Sequence, residues 1–207
     1  MMKKNGFTLA EVLITLAIIG VVASLTLPSL MANTGEQQSM TAYRKILNSL
    51  NEAGQLNAAL NGYDYSTMTT KGAVNDSFVS GKMSLGAIIH DNLKLAPQAT
   101  NVSLGTVTNC AVMMDGTAIC LGPYASVSST DAKVVIVDTN GTKGPNKLAT
   151  CTDEGCKTKS GRKIYDQFYV TLYGGNAYPG KWTAVETVGT SNQDYAAAFA
   201  AGVSKQN

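Results

Sequence analysis

The chain has 207 residues, of which 44% are hydrophobic and only 14% charged, and its formal net charge at pH 7 is +2. A chain of this length buries one modest core, which excludes two large domains and favours one globular domain with an appendage. So small a charge does not call for a nucleic-acid partner.

The first predicted element is an apolar segment, residues 7–30, that follows Lys3 and Lys4. As a helix it spans roughly 36 Å at about 1.5 Å per residue, which is enough to cross a hydrocarbon layer about 30 Å thick. The positive-inside rule places the two lysines in the cytoplasm and everything after Leu30 outside it. The sequence therefore predicts one membrane-spanning helix with an extracytoplasmic remainder.

Glu11 is the one charged side chain in the apolar segment, and it bears on how that segment is interpreted. A cleaved secretory signal peptide also has a basic start and an apolar core, and residues 21–23 (VVA) would serve as its cleavage site. The segment is longer than the usual signal core, however, and a signal peptide gains nothing from an acidic residue. A carboxylate within the bilayer costs about 2.5–3.5 kcal/mol on insertion scales, so we expect Glu11 to have a partner.

The run GFTLAEVLI (residues 6–14), with Pro28 further along, resembles the N-terminus of type IV pilins and type II secretion pseudopilins. The resemblance implies that a prepilin peptidase cuts between Gly6 and Phe7 and that the new amino terminus is methylated. It also implies that the charged amine of Phe7 pairs with Glu11 of a neighbouring subunit in a filament. This pairing would supply the partner that Glu11 lacks within its own membrane segment.

Beyond the membrane segment, apolar residues recur at three- and four-residue steps and predict that the helix continues to about Gly62. The two overlapping stripes consist of Met40, Tyr43, Ile46, Leu47, Leu50, Ala53, Leu56 and Leu60. Pro28 predicts a kink or local melting, because proline removes a backbone hydrogen bond. The alternative is two helices divided near residues 33–35, since Gly35 lowers helix stability by about 1 kcal/mol.

Residues 61–81 are rich in glycine, threonine, serine and asparagine and predict a surface connection. A short helix is then predicted from Ser84 to about Leu95. Its inward-facing residues are predicted to be Leu85, Ile88, Ile89 and Leu93. His90 lies on this helix and is the only histidine in the chain, so it has no second histidine for a metal pair and is expected to be a surface residue.

The four cysteines form two close pairs, Cys110 with Cys120 and Cys151 with Cys156. This spacing is not that of a zinc knuckle, and it fits disulfides formed in an oxidising compartment better than a metal site. Four cysteines can be joined in three ways, and a register argument favours the one that consists of the two local pairs.

An Asp-Gly pair between Cys110 and Cys120 is a strong hairpin signal. A two-residue loop would pair Cys120 with Ala111 and leave Cys110 on the opposite face of the sheet. A three-residue loop, residues 114–116 with Gly116 in the left-handed conformation, instead sets the two cysteines directly across from each other. The three-residue loop and a cross-strand disulfide are therefore predicted.

Three strand regions are predicted: the hairpin at 110–121, then Lys133–Asp138 and residues 166–173. They imply an α+β fold in which a small antiparallel sheet packs on the outer half of a long N-terminal helix, like a pilin lollipop. The runs DGTAI, VDTNGTKGPN and DQFYV also look similar to the globular half of some bacterial pilin-like proteins. Residues 194–202 are expected to form a short helix or a tail.

The expected division of the chain follows from these elements. Residues 1–6 form a leader peptide, 7–30 the transmembrane and assembly half of the helix, 31–61 its amphipathic half, and 62–207 an extracytoplasmic globular domain.

Asp138, Asn140 and Asp166 offer oxygen ligands near glycine turns, and some of the secretion pseudopilins that the chain resembles bind calcium in a C-terminal loop. The spacing is far short of a complete EF-hand loop, so calcium is only a weak expectation and no other cofactor is expected. The alternative is a plain Asx-turn, in which an aspartate side chain accepts backbone hydrogen bonds from the residues that follow it.

A basic cluster lies between residues 143 and 163 and consists of Lys143, Lys147, Lys157, Lys159, Arg162 and Lys163. Such a cluster suits phosphate contacts, as a minor pilin of a DNA-uptake pilus would need. The alternative is a solvated loop, which is favoured because no aromatic residues interleave with the basic ones.

No catalytic motif is present, so the chain is not expected to be an enzyme. The resemblance implies a structural subunit of a type IV pilus or a type II secretion pseudopilus. Its expected partners are other pilin subunits, the prepilin peptidase, the inner-membrane assembly platform and, before assembly, membrane lipid. It would be a single-pass protein of the cytoplasmic membrane and then part of a surface or periplasmic filament. The alternative is a membrane-anchored extracytoplasmic binding module that does not polymerise.

Overall fold

The computed structural model of the chain describes residues 6–121, 133–149 and 165–181. They contain a long helix α1 (Leu9–Asn61), a short helix α2 (Leu85–Asn92) and six strands. The strands are β1 (Leu95–Leu104), β2 (Val107–Met113), β3 (Ala118–Cys120), β4 (Lys133–Asp138), β5 (Gln167–Tyr173) and β6 (Asn176–Pro179). A single 3-10 turn, Phe78–Ser80, lies in the connection before α2. The predicted α+β class is therefore confirmed.

The chain divides into two compact units, Met1–Gln38 and Ser39–Asn207. The finer boundaries expected from the sequence, including the end of the membrane segment near residue 30, stay predictions.

Helix α1 is unbroken from Leu9 to Asn61, so the predicted single helix is confirmed and a division near residues 33–35 is not observed. It also continues through Pro28, so the local melting predicted there is not observed. The kink predicted at Pro28 stays a prediction. The helix ends before Gly62, whose φ of 73° is a left-handed conformation that glycine adopts readily.

The six strands form one antiparallel sheet in which each strand pairs with its neighbours in sequence, in the order β1-β2-β3-β4-β5-β6. The predicted hairpin and the two predicted strands supply its four central members. The edge strands β1 and β6 are additions that the sequence did not predict. Both contain a proline, Pro97 in β1 and Pro179 in β6, and β1 has register shifts along its pairing with β2. Proline is tolerated at the edge of a sheet, where it withholds no ladder hydrogen bond.

Within the unit Ser39–Asn207, one face of the sheet packs against the outer half of α1, as predicted. Tyr43, Ile46 and Leu50 of α1 are fully buried. The Tyr43 ring lies 5.0 Å from the ring of Phe168, and its hydroxyl donates a 2.8 Å hydrogen bond to the carbonyl of Tyr169. Each such side chain contributes roughly 1.5–3 kcal/mol by leaving water, so the contact between α1 and this face of the sheet stabilises the unit.

The β2–β3 hairpin has the predicted register, with Cys110 across from Cys120 and Ala111 across from Ile119. Gly116 has a φ of 87°, which places it in the left-handed position of a three-residue loop. A disulfide joins Cys110 to Cys120. Both cysteines lie in a second apolar cluster, on the face of the sheet opposite the residues that contact α1.

Replacing both Cys110 and Cys120 with alanine is expected to lower the free energy of unfolding by about 2–3 kcal/mol, because the bond closes a short loop with a sequence separation of 10. Denaturant unfolding of the full chain in detergent measures the change. Mass mapping of non-reduced peptides provides an independent check, and finding Cys110 joined to Cys151 or Cys156 would contradict the pairing.

Helix α2 begins after Ser84, whose hydroxyl caps it by accepting a 3.0 Å hydrogen bond from the Ala87 backbone N–H. Three of its predicted inward-facing residues, Leu85, Ile88 and Ile89, are buried, and Leu93 is half-buried. The helix ends at Asn92, slightly earlier than predicted, because Leu93 is already extended and leads into β1. His90 is exposed, as expected, and its Nδ1 lies 2.9 Å from a carboxylate oxygen of Asp91.

Candidate functional site

The first candidate site is the apolar start of α1. Its segment Leu9–Pro28 has a mean hydropathy of 2.3, and none of its residues is buried within the described part of the chain. Among the described residues it is the one helix long and apolar enough to cross a membrane, although a signal sequence would meet the same criterion. Phe7, which directly follows the predicted cut, is 89% exposed.

Glu11 has a partner within its own chain that the sequence analysis missed. Its carboxylate oxygen Oε2 accepts a 2.8 Å hydrogen bond from the Thr8 backbone N–H and a 2.9 Å hydrogen bond from the Thr8 hydroxyl. The Glu11 backbone N–H donates in return to the Thr8 hydroxyl oxygen at 3.3 Å. The signal was present as Thr-x-x-Glu, the capping box that satisfies free N–H groups at the start of a helix.

This geometry changes the interpretation of Glu11. Hydroxyl and amide donors, like basic residues, stabilise a carboxylate where water is scarce. Glu11 is therefore not a wholly unsatisfied carboxylate in the unassembled chain. Both bonds go to Oε2, and no hydrogen bond to Oε1 occurs in the described part of the chain.

An apolar helix with a glutamate in the capping box at its start thus lies directly after a Gly-Phe junction. Residues 1–27 match the family described as Prokaryotic N-terminal methylation motif, the signature of type IV pilin and pseudopilin precursors. No curated protein and no solved structure matches the chain. The motif implies processing by prepilin peptidase and assembly with other pilins, and the proteins that carry it are structural rather than enzymatic.

The second candidate site is the loop after β4, where the structure brings the three weak metal candidates together. Asn140 links the two carboxylates, because its backbone N–H donates to Asp138 at 3.1 Å and its side-chain amide donates to Asp166 at 3.1 Å. Asp138 and Asp166 are both buried. Neither has an ion-pair partner among the described residues.

Nitrogen donors surround these carboxylates. Asp138 also accepts hydrogen bonds from the Gly141 backbone N–H at 2.8 Å and from the Gln167 side chain at 3.0 Å. Asp166 accepts two more from backbone N–H groups, those of Asn146 at 2.7 Å and Lys147 at 2.6 Å. This is the Asx-turn alternative, extended by a second carboxylate that fixes the far end of the loop.

Calcium at this loop stays a prediction. The side-chain oxygen of Asn140 is buried without a hydrogen-bond partner, which leaves one potential oxygen ligand unused. Within residues 6–121, 133–149 and 165–181, however, no three His, Cys, Asp or Glu side chains come close enough to hold a metal ion.

Burial, together with the nearby charge of Asp166, raises the pKa of Asp138 to about 6, although hydrogen bonds from Gln167, Asn140 and Gly141 act to lower it. The folded chain therefore holds this proton more tightly than the unfolded chain, in which the pKa is 3.8. The stability from this group is fully present below about pH 4 and is lost as the pH rises through 6.

We expect Asp138→Asn to remove this pH dependence, because the amide does not ionise. Relative to the wild type, the variant should gain on the order of 2 kcal/mol of unfolding free energy between pH 4 and pH 7. Denaturant unfolding across that pH range measures the gain.

Asp64→Asn is the matched control with the opposite sign. Burial raises the pKa of Asp64, but hydrogen bonds from Ser66 and Thr67 outweigh this and hold the pKa below its usual value. The Asp64 variant should therefore lose stability relative to the wild type at neutral pH, and that loss should shrink as the pH falls. An unchanged pH profile for Asp138→Asn would contradict the raised pKa.

Several predicted features lie outside the described residues: the Cys151–Cys156 pair, most of the basic cluster and the segment 194–202. Of the basic cluster, Lys143 and Lys147 are described, and both are exposed.

Proposed function

We propose that the chain is a structural subunit of a type IV pilus or a type II secretion pseudopilus, cut between Gly6 and Phe7 and assembled through its N-terminal helix. The observation that carries the proposal is the methylation motif over residues 1–27, which coincides with the membrane-length helix segment Leu9–Pro28.

In the proposed filament, the methylated amine of Phe7 in one subunit pairs with the Glu11 carboxylate of a neighbour. The pairing gives each of the two charges an opposite charge that lipid does not provide, and it therefore favours the filament over dispersed subunits. It also fixes the axial register, because each subunit carries the amine and the carboxylate at a constant spacing.

Before assembly, the proposed location is the cytoplasmic membrane, with Lys3 and Lys4 in the cytoplasm and the unit Ser39–Asn207 on the far side. The Cys110–Cys120 disulfide supports this orientation, since such bonds form and persist in oxidising compartments. The proposed partners are the prepilin peptidase, the inner-membrane assembly platform and other pilin subunits.

The test is the N-terminal mass and sequence of the protein from its native envelope and from material sheared off the cells. A chain that begins at methylated Phe7 and is present in the sheared fraction is expected. A chain that retains Met1 and stays with the membrane would instead identify an anchored binding module. A chain that begins near Ser24 would identify a secretory signal peptide.

A further inference from the structure

Three tyrosines lie together on the face of the sheet that is opposite α1. Along β5, every second residue belongs to the core that contacts α1, so Tyr169 and Tyr173 lie on the other face. On the edge strand β6, Ala177 belongs to the same core, so its neighbour Tyr178 also lies on the other face. All three tyrosines are half-buried, and each therefore keeps part of its side chain in contact with solvent.

The pairing of β5 with β6 makes these side chains neighbours. Tyr178 is paired with Thr171, and the backbone N–H of Gly180 donates a 3.0 Å hydrogen bond to the carbonyl of Tyr169. Tyr178 is therefore a diagonal neighbour of both Tyr169 and Tyr173. Diagonal neighbours in an antiparallel pair lie about 7–8 Å apart, which is within reach of aromatic side chains. The three tyrosines thus form one continuous row across two strands.

One cation lies at the end of this row. The Nζ atom of Lys181 is 5.6 Å from the centroid of the Tyr169 ring, a distance at which the ring attracts a positive charge. Lys181 is exposed, and residues 167–181 contain no aspartate or glutamate. Asp166, just before this stretch, is buried. We call Tyr169, Tyr173, Tyr178 and Lys181 the tyrosine platform.

We propose that the tyrosine platform binds a polysaccharide that carries carboxylate groups on some of its sugars. A sugar ring has an apolar face of C–H groups and a rim of hydroxyl groups, and a tyrosine likewise joins a flat apolar ring to a hydroxyl. Tyr173 and Tyr178 offer the ring surface on which sugars stack. Lys181 supplies the positive charge that is complementary to a carboxylate. The inference goes beyond the proposed function.

The ratio of rings to charges favours a polysaccharide over a single-stranded nucleic acid. Nucleic-acid bases also stack on aromatic side chains, but a positively charged groove follows the backbone in such sites. Every nucleotide carries a phosphate, whereas the tyrosine platform has one cation for three rings. This ratio fits a polymer in which only some of the units are charged.

Hyaluronate is the probe for this site, because it alternates a sugar that bears a carboxylate with an uncharged one. The purified full chain in detergent micelles should bind a hyaluronate oligosaccharide saturably in isothermal titration calorimetry. Tyr173→Ala and Tyr178→Ala should each raise the dissociation constant at least about fivefold, as expected for an aromatic anchor. Tyr173→Phe and Tyr178→Phe keep the ring and should lose less than their alanine counterparts.

A second probe, in which the carboxylates of hyaluronate are reduced to alcohols, tests Lys181. Lys181→Ala should weaken binding of the native probe about two- to fivefold, and the loss should shrink at high salt. The variant and the wild type should bind the reduced probe equally. Lys82→Ala is the matched control, because Lys82 is also exposed but lies outside the platform. An equal loss with both probes in Lys181→Ala would overturn the assignment of a carboxylate.

Denaturant unfolding identifies any tyrosine variant that does not fold. Lys181 is exposed, so the comparison of the two probes stands even where a tyrosine variant fails. Met114→Ala removes exposed apolar surface from the tip of the β2–β3 hairpin, where the residue is 68% exposed, and should bind as the wild type does.

Three results of the titrations would overturn the proposal. They are a wild-type chain that does not bind hyaluronate saturably, folded alanine variants of Tyr173 and Tyr178 that bind as the wild type does, and an equal loss in Met114→Ala. Tighter binding of oligothymidylate than of hyaluronate would also overturn it and would identify a single-stranded nucleic acid as the ligand.

The proposed function and this inference fail separately, because the titration uses the full chain before it is cut. A wild-type chain that never appears in the sheared fraction would overturn the proposed function and leave the binding result intact. A chain that assembles into filaments but does not bind hyaluronate would overturn the inference alone.

Discussion

Replacing Glu11 with alanine is expected to abolish or greatly impair filament formation. In the proposed filament the substitution leaves the amine of the neighbouring subunit buried and unpaired. Truncating one partner of a buried ion pair commonly costs about 3–5 kcal/mol, which corresponds to a loss of roughly 10²-fold to 4 × 10³-fold in each assembly step. The protein recovered in the sheared fraction, relative to the processed protein that stays in the membrane, measures the loss.

Glu52→Ala is the matched control for charge. Glu52 lies on the same helix α1 but in the unit Ser39–Asn207, where it is exposed to solvent. This variant also removes a glutamate carboxylate, but outside the apolar segment, so filaments should form as in the wild type. Normal filaments from Glu11→Ala would refute the role of Glu11, provided that mass analysis shows a chain beginning at Phe7.

The strongly periodic and locally coded elements could be predicted from the sequence. Apolar residues at helical spacing located α1, and the hairpin register followed from an Asp-Gly turn signal together with the placement of Cys110 across from Cys120. These features depend on contacts between residues close in the chain.

The edge strands could not be predicted because their residues do not show a strand pattern. Strand β1 reads LAPQATNVSL and β6 reads NAYP. Each forms because the adjacent strand offers a free row of hydrogen-bonding groups, which is a property of the assembled sheet. The register shifts in β1 show that such pairing tolerates an irregular sequence.

The polar network around Asp138 was foreseen only in part. Asp138 and its Asx-turn partners Asn140 and Gly141 are neighbours in sequence, and that turn was one of the two alternatives. The contribution of Gln167, which comes from β5 and donates to Asp138 at 3.0 Å, depends on strand pairing between β4 and β5. By contrast, the Thr8–Glu11 capping box is local and could have been found by its spacing.

Gly141→Ala is expected to destabilise the fold by about 2–5 kcal/mol, for two separate reasons. The φ of Gly141 is 64°, and a left-handed conformation costs a residue with a side chain about 1–2 kcal/mol. A methyl group at this position would also overlap the backbone carbonyl oxygen of Gly116, at the tip of the β2–β3 hairpin. Relieving such an overlap requires backbone shifts that typically cost about 1–3 kcal/mol more.

Gly116→Ala separates the two contributions. Its φ of 87° is also left-handed, but a methyl group there would meet nothing within 4 Å. Only the conformational cost should appear, so Gly116→Ala should be the milder variant by about 1–3 kcal/mol in denaturant unfolding of the full chain. Equal losses would show that the loop after β4 moves away from the hairpin without cost. A larger loss in Gly141→Ala would show that the loop after β4 is held against the hairpin tip and cannot move away from it without cost.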